Sequence, residues 1–282
     1  MIKGVTLIFI LVASFPLAAQ ISFKKITLDK ELLSEISGLE IEDSHFLAHN
    51  DSGFEPVIYR LNKEGQVIST LSLDNITNVD WEDIAVDPDH IYIADIGNNF
   101  GNRKDLKVYK INKQTSKVDE IPFVYQNQIE YRKEYYNEYD AEAIILFNKK
   151  ILLFSKNRLK EITQVYELMT KSEQQQLVPV DSVDIEGLVT GADYSQKSNL
   201  LALCGYSQEN VKQYVYLYRD FKLPMDVKQM EKITLPEEYD NTQIEAIKVL
   251  TSKEILLASE SEDGGDPFLL LLTFPENYFT KE

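Results

Sequence analysis

The stretch NVDWEDIAVDPDHIYIADIGNN, Asn78 to Asn99, sets a short apolar strand between two acidic ends, Asp80-Trp81-Glu82 and Asp95-Ile96-Gly97-Asn98-Asn99. The same grammar recurs. Glu35 to Gly53 reads EISGLEIEDSHFLAHNDSG, Asp140 to Arg158 reads DAEAIILFNKKILLFSKNR, Asp184 to Ser207 reads DIEGLVTGADYSQKSNLLALCGYS, and Gln243 to Asp263 reads QIEAIKVLTSKEILLASESED. Each copy opens on an acidic or polar residue with Glu or Ser two positions later, then passes through a turn into a four-residue apolar strand that ends in a polar cluster. The copies start at residues 35, 80, 140, 184 and 243, in steps of 45, 60, 44 and 59. Such periods fit, or somewhat exceed, those of four-stranded propeller blades.

The segments just after the copies are alike too. VIYRLN, LKVYKIN, TQVYELM, QYVYLYRD and FLLLLTF are short, β-rich and partly alternating, as third strands should be. A fourth comes after the first four copies, as QVISTLSL, VDEIPFVYQ, QQLVPVDSV and VKQMEKITL, but the last copy runs out of chain. The segment ISFKKITLD, Ile21 to Asp29, is the natural donor of the missing strand. These features predict an all-β fold, a single β-propeller closed by its N-terminal strand, which removes the exposed edge of an open array. Five blades follow from the count. Six remain open, because the longer steps have room for extra strands, notably at QIEYRKEYYNEY, Gln128 to Tyr139, which reads equally as an insertion above the blades.

Composition narrows the function. Among 282 residues, 46 are acidic and 29 basic, for a formal charge of -17. That balance excludes nucleic acid as an expected partner, because phosphate binding needs clustered Lys and Arg. Residues 1–20, with Lys3, an apolar run from Val5 to Val12 and small residues before Gln20, read as a secretory signal peptide. The propeller domain is then 21–282, exported, periplasmic or extracellular, and soluble. No later segment is apolar for the roughly 18 residues a membrane helix needs, so no membrane insertion is expected. The one cysteine, Cys204, rules out an internal disulfide and reads as a buried strand residue.

The chemistry lies in the acids that open the innermost strands. Residues i and i+2 share a face, so Asp80 with Glu82, Asp140 with Glu142, Asp184 with Glu186 and Gln243 with Glu245 each point one way, with Glu35 and Ser37 in the remaining blade. Second-strand ends add Asn50 with Asp51, Asp95, Lys156 and Glu260, while blade four has Gly205. Carboxylates converging on one channel raise one another's pKa unless something compensates. Three remedies exist: Ca²⁺ or another divalent cation, which takes oxygen ligands; the internal counter-charge of Lys156; or backbone N–H donors from the next blade, which would make the acids stitches of the ring. The candidate metal ligands are Glu82, Asp95, Glu142, Glu186, Glu245 and Glu260. The loops HNDSGFEP, DIGNNFGNR, SKNR and ESEDGGDP gather on one expected face, where a rigid sheet scaffold presents binding groups. They supply the candidate ligand-binding residues Asn50, Asp51, Asn98, Asn99, Arg103, Lys156 and Arg158, the three cations being suited to an anionic group. Trp81 reads as a packing residue.

The phrases HNDSG, DWEDIA and YIADIGNN resemble those of secreted bacterial β-propellers grouped as phytase-like or SdiA-regulated-like proteins, most clearly over residues 35–112. The resemblance implies an exported, calcium-assisted propeller with some phosphoesterase relatives, whose mouths would carry several Lys and Arg near metal-binding acids. The expectation that results is a propeller binding a small molecule or protein at one face, with a divalent cation at the channel mouth. The competing class is a metal-dependent hydrolase of a phosphoester or lactone, in which the cation polarises the substrate and activates water.

Overall fold

The computed structural model describes residues 20–209, 212–262, 264–276 and 278. The leader read over 1–20 lies, apart from Gln20, outside the described residues. Strand β1 (Ser22–Thr27) comes first, and a single helical turn, Lys30–Leu33, capped by Asp29, leads from it into blade one. That blade is β2 (Ile36–Glu42), β3 (His45–Asn50), β4 (Val57–Leu61) and β5 (Val67–Ser72), antiparallel in order from the axis outward. Blade two is β6 (Trp81–Val86), β7 (His90–Asp95), β8 (Lys107–Asn112) and β9 (Val118–Tyr125). Blade three begins with β10 (Ala141–Phe147), β11 (Lys150–Ser155) and β12 (Thr163–Met169). The stretch QQLVPVDSV, expected as its single fourth strand, divides. β13 (Gln175–Leu177) joins the outer edge of blade two in parallel with β9, and only β14 (Pro179–Val183) completes blade three. One connector thereby fastens two neighbouring blades.

Blade four is β15 (Leu188–Ser195), β16 (Leu200–Tyr206), β17 (Gln213–Arg219) and β18 (Met230–Thr234). Blade five has β19 (Ile244–Thr251), β20 (Glu254–Ser259) and β21 (Phe268–Thr273), and its outer strand is β1, paired from Ser22 with Thr273 to Thr27 with Phe268. The ring has five blades and is closed as the orphan N-terminal strand predicts. The sixth-blade alternative fails because residues 126–140 carry turns and irregular backbone but no strand. Among the described residues no helix is long and apolar enough to cross a membrane.

Each blade is buried on both faces, since alternate strand residues point to opposite sides and each side meets a neighbour. In β10 and β11, Ile144, Ile151 and Leu153 pack against blade two, whereas Ala143, Ile145, Leu152 and Phe154 pack against blade four. Five apolar clusters result, one at each junction between adjacent blades. Trp81 is fully buried at the junction of blades one and two, a packing residue as expected.

His49 lies in that same junction, edge-on to Trp81 with ring centroids 5.5 Å apart, and its Nε2 occupies the space a side chain at Gly38 would need. Burial pushes the imidazole down to about 4 from an ordinary 6.5. The fold therefore holds the neutral ring, and the unfolded chain takes up a proton that the folded chain refuses between those two values. This contribution is fully present above pH 6.5 and is lost as pH falls toward 4, about 3 kcal/mol in all. Urea melts from pH 4 to 7 should show stability rising with pH more steeply in the native protein than in His49→Gln. Equal slopes would mean that the ring is not held neutral.

Candidate functional site

The innermost strands share a defect that creates the site. In β2, β6, β10, β15 and β19 the register breaks at the same level, leaving Ser37, Glu82, Glu142, Thr190 and Glu245 unpaired on a bulge. A bulge re-aims a side chain next to an otherwise regular ladder. At two junctions the residue stitches blades: Ser37 Oγ lies 2.8 Å from the Trp81 carbonyl and 2.6 Å from that of Glu82, and Thr190 Oγ1 donates to Ile244 O at 2.5 Å. The other three blades bring carboxylates to the channel, where burial first raises the pKa of Glu82 and of Glu142, and the charge of Glu142 adds to it for Glu82 as those of Asp140 and Glu245 do for Glu142. Blade four departs from the expected pattern. Its bulge falls at Thr190, and Glu186 stands in the preceding turn with its side chain 81% exposed, against Lys232 of β18 at 3.3 Å. The phrase Asp184-Ile185-Glu186 has the right spacing at the wrong level of the strand.

Above the bulges sit Asp51, Asp80, Asp140, Lys156 and Glu260, with Tyr206 on blade four. Asp140 and Glu142 are compensated. Arg158 pairs through Nη1 with Asp140 Oδ2 and lies 3.5 Å from Glu142 Oε1, while Lys156 Nζ pairs with Glu142 Oε2. Asn98 N donates to Asp140 Oδ1 at 2.7 Å, and Arg158 Nη2 donates to Asn99 Oδ1 at 2.7 Å. Arg103 is likewise engaged, with Asp95 Oδ1 at 2.7 Å, Gly97 O at 2.8 Å and Asp105 at 3.2 Å. The three cations read from the sequence as holders of an anion thus face acids of their own chain. Asn98 spends both ends of its amide on Tyr139 O and Arg103 N, and Asn50 donates to Leu32 O.

The remaining acids are different. Asp51, Asp80, Glu82, Glu245 and Glu260 meet no salt bridge among the described residues, and all five are raised in pKa, by burial first. Next to burial, the charge of Asp80 acts on Asp51, which reaches about 8, and that of Glu245 acts on Glu260, which reaches about 10. Asp51, Asp80 and Glu82 each offer a carboxylate oxygen, all within 4.8 Å of one another. Glu82 is 6% exposed, and its Oε1 is buried without a hydrogen-bond partner among the described residues. Gly97 makes room for this trio: a Cβ there would stand 1.9 Å from Glu82 Oε1 and 2.5 Å from Asp80 Oδ2. Asp80 and Gly97 are the members that sequence reasoning does not single out as ligand or cradle, although the Asp80–Glu82 pairing is visible in DWE. Of the expected metal ligands, the structure brings Glu82, Glu142, Glu245 and Glu260 to this mouth, ties Asp95 to Arg103, and leaves Glu186 outside.

The opposite end of the channel shows how settled acids look. A cavity of about 280 Å³ there is lined by Glu40, Asp193 and Lys248. Lys248 pairs with Glu40 and lies 2.8 Å from Asp193, whose second oxygen accepts from Val249 N at 2.8 Å. Asp83 accepts from Ile84 N and from Ile144 N on the next blade, both at 2.8 Å. Carboxylates stitch the ring at that end, whereas at the Glu82 end five of them converge without a salt bridge among the described residues, Asp51 and Asp80 bonded to each other and Glu82 Oε1 to nothing.

No protein-family model matches the chain, and no curated protein matches it in sequence. Solved structures do match. An aldose sugar dehydrogenase from Streptomyces coelicolor in its PQQ-bound form is 14% identical with a TM-score of 0.52, over 90% of this chain and 98% of that one. An endo-arabinanase from Bacillus licheniformis is 10% identical with a TM-score of 0.53, over 87% and 95%. An exo-β-1,3-galactanase from Clostridium thermocellum is 9% identical with a TM-score of 0.58, over 89% and 62%. At these identities the likeness is one of fold, and the phytase-like or SdiA-regulated-like resemblance has no support beyond it.

Proposed function

We propose that this chain is an exported propeller that holds a divalent cation on Asp51, Asp80 and Glu82 at one mouth of its channel and binds a small ligand there. The observation that carries the reading is Glu82 Oε1, a buried oxygen without a partner among the described residues, facing two further carboxylates whose charges raise its pKa. A cation supplies the partner that Glu82 Oε1 lacks and a counter-charge for Asp51 and Asp80, which hydrogen-bond to each other. Calcium is the favoured ion because the donors are hard oxygens, with no His or Cys in the group, and the mouth has further acids in Glu245 and Glu260. A phosphoester would bring more negative charge to a mouth whose cations are already paired. Export is inferred from the reading of residues 1–20 as a secretory leader.

Calorimetric titration of chelator-treated protein with CaCl₂ tests this. One ion per chain is expected, with a dissociation constant of about 1 mM or tighter, the range of extracellular calcium modules and above. Saturation at about a hundred times that constant should stabilise the fold by roughly 2.7 kcal/mol. No binding heat and no change in melting temperature would overturn the reading.

A further inference from the structure

Residues 126–140 form an irregular segment fixed above the junction of blades two and three. Gln128 Nε2 donates to Gly101 O at 2.7 Å, Asn137 Nδ2 to Asn99 O at 3.1 Å, and Glu134 N to Phe100 O at 2.8 Å. Gln128 and Asn137 are both buried, and Gly101, at φ +63°, packs against the Asn137 side chain. Buried amides thus hold the segment in one place. It nevertheless shows Tyr135 and Tyr136 to solvent, beside Phe100, which is exposed as well. The ring centroids of Phe100 and Tyr135 are 6.4 Å apart with planes inclined at 59°, and those of Tyr135 and Tyr136 are 5.3 Å apart at 84°, which makes a stepped aromatic shelf that offers both ring faces and ring edges. Arg158 connects it to the mouth, with its guanidinium 5.0 Å from the Tyr135 ring and its Nη1 on Asp140. Three large rings exposed side by side on an anchored support are an interaction surface.

Charge selects the occupant. With the cation on Asp51, Asp80 and Glu82, an anion still meets Glu245 and Glu260, buried acids of the same mouth that form no salt bridge among the described residues. A cation meets two like charges on the shelf itself, because Arg158 lies over Tyr135 and Lys133 Nζ lies 4.3 Å from the Phe100 centroid. An uncharged ring with apolar C–H faces and many hydroxyls satisfies both regions. Its face stacks on the shelf, and its hydroxyls hydrogen-bond to carboxylates or complete the coordination of a cation. We propose that Phe100, Tyr135 and Tyr136 form the stacking shelf for a neutral saccharide bound at the channel mouth. This rests on the mouth being the ligand site and names the class of that ligand.

The test is saturation-transfer NMR in calcium with a panel of short neutral oligosaccharides built from glucose, galactose, xylose and arabinose, with glucosamine and glucuronate as charged controls. At least one neutral member is expected to bind, more tightly than either control. Tyr135→Ala and Tyr135→Leu should each weaken it about tenfold or more, with calcium titration unchanged and the melting temperature lowered by only about 2–4 °C as the contact with Arg158 is lost. If no neutral member binds to protein that takes up calcium normally, if the charged controls bind better, or if the ring substitutions leave binding intact, the saccharide shelf is wrong while the cation site stands. Saccharide binding that survives in protein without calcium affinity would sink the cation site and keep the shelf.

Discussion

Glu82→Gln is expected to lower calcium affinity by about a hundredfold, some 2–3 kcal/mol, and to raise the melting temperature of the calcium-free protein. The two effects have one cause. Glu82 is buried, and its pKa is driven up by burial and then by the charges of Glu142, Asp51 and Asp80. A carboxyl whose folded pKa exceeds its unfolded one binds its proton more tightly in the fold, so its contribution to stability is lost as pH rises through that window. Gln keeps the shape and the acceptor and removes the charge. The expected gain without calcium is about 1 kcal/mol, or roughly 2–4 °C for a chain of this size. The same sign governs Asp51 and Glu260, held near 8 and 10. Calcium-free wild-type protein should therefore melt at lower temperature at pH 9 than at pH 6, and saturating calcium should flatten the difference. A residue that merely stitched blades would behave oppositely. Loss of calcium-free stability in Glu82→Gln, with calcium affinity intact, would assign Glu82 to ring closure and end the cation reading.

Why the acids could be found from sequence while their roles could not is plain from particular residues. The innermost strands announce themselves through a carboxylate two residues after a polar opener, and Glu82, Glu142 and Glu245 do lie on corresponding bulges. Blade four misleads because Asp184-Ile185-Glu186 imitates that spacing, whereas its true counterpart, Val189-Thr190-Gly191, carries no acid; only the pairing of Val189 with Gly205 and Gly191 with Cys204 reveals the level. Closure by β1 was legible because one β-like segment lacked a partner and one blade lacked a strand. The split of QQLVPVDSV was not, since β13 chooses a neighbour across a blade boundary. Lys156 was legible as an internal counter-charge, and it does pair with Glu142, but the spent charge of Arg158 was hidden, because Asp140 reaches it across a hairpin rather than along a strand. Gly97 reads as an ordinary turn glycine until the oxygens above it are seen.

Lys156→Met should cost about 3–5 kcal/mol, the scale for removing one partner of a buried ion pair, and lower the melting temperature by roughly 10 °C. The Lys156 side chain is 5% exposed, its ammonium meets Glu142 Oε2 and lies 5.1 Å from the centre of the Tyr206 ring, and the charges of Glu142 and Glu245 hold its pKa well above the usual lysine value. Met keeps most of the volume, so the loss reports charge and not a cavity. Without the ammonium, Glu142 is left with Arg158 at 3.5 Å while that guanidinium is already engaged by Asp140. Adding Glu142→Gln should then recover most of the loss, since the second substitution removes the stranded charge, and a double-mutant cycle should give a coupling of about 2 kcal/mol or more. Lys156→Met and Glu82→Gln are therefore expected to shift stability in opposite directions, although both remove one charge from the same channel. A Lys156→Met protein that melts within about 1 kcal/mol of wild type would show that Glu142 is held neutral by its surroundings, and that Lys156 is not the counter-charge of this ring.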